Sequence, residues 1–153
     1  LPRHDDFWDF YVARQDHVSD LTLGAWAHMA CDHVYNAHTR TYLARVGVKP
    51  GEKARVGKQG DFALFGRTLD ISLVPHVDDA LLEQCAEFGP YRILERDARA
   101  AVDVAERIVE KNREEHVTGE PDYQLLTADF FEAARQEAHE IVVAGLRAYA
   151  ATL

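Results

Sequence analysis

Between Ile93 and His116 the apolar residues Leu94, Ala98, Ala101, Ala105, Ile108 and Val109 recur every three or four positions. Only a helix, at about 3.6 residues per turn, gathers that spacing onto one stripe. Glu95/Arg99 and Asp103/Arg107 stand four apart on the other side, where such pairs support a solvated face. One stripe cannot be buried alone, so the chain must supply other helices to cover it.

The rest of the sequence supplies them. FWDFYVAR, after a possible Asp5 cap, predicts a short aromatic helix, and Ser19 or Asp20 opens a long one running to about Val46, with Gly47 as its stop. On that helix Trp26, Ala30, His33, Ala37 and Ala44 share a small-residue stripe, with His28, Asp32, Tyr35 and Thr39 opposite. Another helix is expected from Asp61 through Phe62, Phe65 and Leu69, although DISLV at 70–74 alternates as a strand would. Pro75, Asp78 and Asp79 suit the start of a short helix carrying Leu81, Leu82, Cys85 and Phe88, with Gly89 at its end. After the break VTGEPDY, Thr127 or Asp129 opens a last helix with Phe131, Ala134, Ala138, Ile141, Val142 and Gly145 inward. The expectation is an all-α fold: residues 1–153 as one helical-bundle domain of four main helices plus one or two short ones.

Composition narrows the function classes. No apolar stretch approaches the roughly 20 residues of a bilayer span, and LPRHDDFWDF lacks the pattern of a secretory leader. A cytoplasmic protein is expected, with its native start ahead of Leu1 because the single methionine is Met29. Cys31 and Cys85 fall in apolar helical patterns and read as reduced, structural thiols. A net charge of −9 opposes extensive nucleic-acid binding.

Against that acidic background, GVKPGEKARVGKQG at 47–60 carries Lys49, Lys53, Arg55 and Lys58 against Glu52, a local charge of +3. It reads as a basic loop between helices that could contact an anionic ligand or partner. It is not a nucleotide P-loop: five residues separate Gly51 from Gly57, and Gln59 stands where a hydroxyl must meet magnesium. DDFWD at 5–9 likewise reads as first-turn carboxylates at a helix N-terminus.

Eight histidines raise a metal reading. Helical bundles build metal sites from inward His and carboxylates, and His33, Glu132 and His139 would meet if the second and last helices packed together, with His28 as a further candidate. That alternative is a metal-dependent enzyme binding a divalent ion. No nucleophile motif is present, so catalytic residues stay unassigned.

The segments YNAHTRTYLARVGVKPGEKARVGKQGDFALFG and LLEQCAEFGPYRILERDARAAVDVAERIVE resemble the HEPN family of small all-helical domains over roughly residues 35–110. Active HEPN ribonucleases carry an Arg and a His with four to six residues between them. No such pair occurs here: Arg113 and His116 are too close, and Arg107 to His116 is too far. The resemblance therefore implies a non-catalytic member that acts as the partner of a nucleotidyltransferase or as a binding and dimerisation module. The leading expectation is an interaction module with a protein partner or a second copy, dimeric through an apolar helix face. AWAHMACDH and EAARQEAHEIVVAGLRAY are also similar to DinB-like metal proteins. Arg135 stands where that family's first late histidine would be, leaving His28 and His139 to carry over. A small-molecule receptor walled by Phe7, Trp8 or Trp26 is the third reading.

Overall fold

A computed structural model describes residues 3–153. Among these the secondary structure is entirely helical: α1 (His4–Tyr11), α2 (Asp20–Arg45), α3 (Glu52–Arg67), α4 (Asp79–Ala86), α5 (Glu95–Glu114) and α6 (Ala128–Ala150). No helix among the described residues is long and apolar enough to cross a membrane.

Side-chain caps set three of the starts. Ser19 Oγ accepts from Thr22 N at 3.2 Å, Asp78 Oδ1 from Leu81 N at 2.8 Å, and Thr127 Oγ1 from Phe130 N at 3.1 Å. Gly47 ends α2 with φ +72°, a left-handed conformation that a side chain would strain, and Val48 N returns to Leu43 O at 3.0 Å. Four expectations fail locally. Asp5 lies inside α1, which starts behind Arg3; Pro75 stands four residues ahead of α4 in irregular chain; and DISLV, open between helix and strand, forms neither. The fourth is the basic loop: α3 begins at Glu52, so Lys53, Arg55 and Lys58 ride on a helix.

The core is the antiparallel pair of α2 and α6. Trp26 meets Gly145, Val34 packs on Ala134 and Ala138, and Tyr42 meets Phe130 at a ring distance of 5.6 Å. A Cβ at Gly145 would collide with the Trp26 ring, so this glycine is what allows the two helices to close there. Tyr149 locks the far end: its hydroxyl accepts from Val18 N at 3.2 Å and faces Val18 O at 3.3 Å. Thr22, Trp26, Ala30 and Val34 form a buried i, i+4 row. Thr39, expected on the solvent side, is buried, and its hydroxyl satisfies itself on Tyr35 O at 2.7 Å. α2 is covered from several directions by α1, α4 and α6, so its polar and apolar residues do not separate into two faces.

α1 lies on α2 through Trp8 against Trp26 (4.6 Å) and His4 against His33 (4.8 Å). α3 reaches α6 through Phe62 and Phe65, and Asn112 of α5 donates to Gly66 O of α3 at 2.7 Å. Cys85 is buried and Cys31 half-buried. Burial pushes both thiols above their ordinary range, with Asp32 adding to the effect at Cys31. Such raised values mean stability that is complete below the ordinary thiol range and is lost as pH rises through the higher native one. Both thiols are expected to react with Ellman's reagent well below the free-thiol rate in native protein at neutral pH, and at the free rate in urea. Fast native reaction would show that the burial is not maintained in solution.

Candidate functional site

The residues proposed for metal binding are not brought together. His28 is exposed and faces Asp32 at 3.3 Å, the i, i+4 partner on its own helix. His33 is turned to the α1 side, where its ring meets His4. Glu132 is exposed and accepts from Arg135 at 2.7 Å, a bond that holds its carboxyl below the usual range, and His139 is exposed. Among the described residues no group of three or more His, Cys, Asp or Glu is placed to hold a metal ion. The α2/α6 pairing assumed for that site is present; the rotation of each helix about its own axis is what separates the side chains.

The cations of 47–60 do not converge either. Lys53 and Arg55 are two residues apart on α3 and so point about 160° from one another, while Arg55 and Lys58 lie within about 60°. Arg55 is engaged by Glu52, and donates to Gln59 Oε1 at 3.0 Å. Lys49 sits ahead of the helix on the exposed turn. Of the rings proposed as a pocket wall, Trp8 packs on Trp26 and Phe7 on Tyr11.

A different constellation does converge, at the end of the same two helices. α2 carries His38, Thr41, Tyr42 and Arg45 at i, i+3, i+4 and i+7, one continuous face. α6 carries Asp129, Ala133 and Glu137 at steps of four, with Phe130 beside them. The two faces enclose an open groove of about 760 Å³ floored by Phe130 and the two alanines Ala37 and Ala133. His38 Nε2 lies 2.5 Å from Glu137 Oε2, a short contact that ties the helices across the groove. With the carboxylate as acceptor, Nε2 carries a proton. Arg45 stacks its guanidinium 5.4 Å over the Tyr42 ring, whose hydroxyl donates to Leu125 O at 3.0 Å. One cation, an imidazole and two carboxylates thus surround an aromatic floor.

Behind this groove lies a buried group that the sequence reading missed. Asp61, 1 % exposed, accepts from the backbone N–H groups of Gln124 (2.8 Å), Leu125 (2.7 Å) and Leu126 (2.7 Å). Gly57, one turn earlier on α3, faces the Leu125 side chain, which a Cβ there would meet at 3.6 Å, an ordinary contact distance. The three amides lead directly to Thr127, so Asp61 fixes where α6 starts and where Asp129 and Phe130 stand in the groove. Gly57 and Asp61 at i, i+4 are the available signal: two poor helix formers share one face of a helix.

No family model, curated protein or solved structure matches this chain.

Proposed function

We propose that this protein is a small helical-bundle binding module, HEPN-like without the nuclease pair, whose ligand seat is the groove between α2 and α6. The observation that carries the reading is the convergence of Arg45, Thr41, His38, Asp129 and Glu137 around the Phe130 floor. A site of this size, apolar at its base with a few charged groups at its rim, suits a small molecule rather than a chain. Its chemistry selects a ligand with an anionic group for Arg45, a hydrogen-bond donor for Glu137, and a flat or aliphatic body for Phe130. The anion contact expected of the basic stretch thereby moves to α2, because Arg55 is already engaged and Lys53 diverges from it.

The test is a calorimetric and NMR titration with amino acids, aromatic carboxylates and phosphate monoesters. For a compound that binds, Arg45→Ala and Glu137→Gln are each expected to weaken affinity about tenfold, the worth of a charge-assisted hydrogen bond. Lys53→Ala and Lys58→Ala are expected to leave it unchanged. Losses that follow Lys53 and Lys58 instead would place the seat on α3 and remove the groove from the account.

The 2.5 Å His38–Glu137 contact favours a second reading, in which the same groove works as an acid–base enzyme. A carboxylate holding one imidazole nitrogen orients the other to take a proton. Under that reading His38→Ala abolishes turnover of a bound compound while sparing its affinity, whereas the binding-module reading predicts no turnover to lose.

A further inference from the structure

α5 has the clearest apolar stripe in the sequence, yet the fold covers only half of it. Ala98, Val109 and Asn112 are buried against the body of the protein. On the adjoining arc of the same stripe Ala101 is exposed, Val104 is 45 % exposed and Ile108 is 53 % exposed. The uncovered strip continues off the helix onto Ile71, 40 % exposed, which shares a shallow hollow with Ile108. Charges border it asymmetrically: exposed Asp97 lies two turns before Val104 and exposed Lys111 two turns after it.

We infer that this strip is the contact between two copies of the chain, formed by α5 packing antiparallel on α5 about a two-fold axis at Val104. In a two-fold contact the same patch must complement itself. Residues equally far before and after Val104 then face one another. Val104 meets the second copy's Val104; Ile108, four residues beyond, meets Ala100, four before, with Ala101 beside it; and Asp97 meets Lys111 at both ends. The large Ile108 therefore falls opposite small alanines and Asp97 opposite Lys111, while Glu115 at the strip's edge is paired within its own chain to Arg67 at 3.2 Å. A parallel pairing would set Asp97 on Asp97 and Lys111 on Lys111. That self-complementarity selects a second copy over an unrelated partner, and it lies on α5, apart from the α2/α6 groove.

Sedimentation velocity over the micromolar range tests it with the whole chain. The native protein is expected to dimerise reversibly. Val104→Glu, which sets two carboxylates at the axis, is expected to weaken the dimer on the order of 100-fold with helical circular dichroism unchanged. Asp97→Lys is expected to weaken it by about three- to tenfold, since exposed pairs are individually small, and Asp97→Lys combined with Lys111→Asp to restore it. Mild oxidation of Val104→Cys should link two chains through that position, whereas Glu106→Cys, on the opposite face, should not. A native chain that stays monomeric throughout the range overturns the inference and leaves the strip to a different partner. A dimer indifferent to Val104→Glu and to the charge exchange overturns it equally, by placing the contact on another face.

Discussion

Replacing Asp61 with alanine is expected to destabilise the protein by about 3–5 kcal/mol, because it takes the acceptor from three backbone donors at once, that of Leu126 buried and those of Gln124 and Leu125 part-buried, and empties a buried seat. A single buried N–H left without an acceptor costs about 1–3 kcal/mol, and the amides of Gln124, Leu125 and Leu126 have no alternative acceptor in a helix or sheet. Asp61→Asn keeps the shape and one acceptor oxygen but turns an NH2 group toward the remaining donors, so an intermediate loss of about 2 kcal/mol is expected. Urea unfolding followed by the fluorescence of Trp8 and Trp26 measures both. A loss below about 1 kcal/mol for the alanine variant would mean that water replaces the carboxylate and that the seat is not as closed as its 1 % exposure implies. The consequence reaches the groove, since the segment released is the one that delivers Thr127, Asp129 and Phe130 to it. Any ligand affinity should therefore fall in Asp61→Asn under conditions where the chain is still folded.

How far such features can be read ahead depends on whether they are local. Ser19, Asp78 and Thr127 mark helix starts because a cap is a contact over two or three residues, and Gly47 marks a stop for the same reason. Gly145 is legible as a close approach because small residues on an inward face have few other uses. The stretch 51–60 misleads because Gly57 and Gly60 look like helix breakers, whereas α3 runs through both, and the side chain that Gly57 faces, Leu125, lies 68 residues away. The same distance hides Asp61, which looks like the first residue of a helix when its three partners are out of view.

The metal proposal shows the limit most clearly. It assumes correctly that α2 and α6 pack together, then needs the rotation of each helix to within about one residue, or 100°. Trp26 on Gly145 and Val34 on Ala138 set a register that brings His38 to Glu137 and leaves Glu132 and His139 outside. The periodicity of one helix carries no record of its neighbour's phase. On α5 the difficulty is reversed: the stripe is fully legible, but whether the protein's own helices cover it is decided elsewhere, and here Val104 and Ile108 are left for another surface.

Phe131→Ala is expected to cost about 4 kcal/mol, within the usual 3–5 for a buried phenylalanine. Phe131 is 2 % exposed and stands where α3, α6 and the 121–126 segment meet. It stacks on Phe65 at 4.3 Å with the rings 10° apart, and meets Tyr123 at 4.9 Å, Phe130 at 5.1 Å and Phe62 at 5.3 Å. These neighbours belong to separate elements whose backbones are held by other contacts, so they cannot all move inward to fill the space. The cavity term is then added to the lost transfer energy. At roughly 2–4 °C per kcal/mol for a chain of this size, the midpoint of thermal unfolding should fall by about 8–16 °C. Phe131→Leu retains most of the volume and should lose less than half as much. If the alanine variant lost no more than the leucine one, the aromatic cluster would be pliant rather than close-packed. Phe130, which packs on the same cluster, would then be too loosely held to serve as the floor of a selective groove.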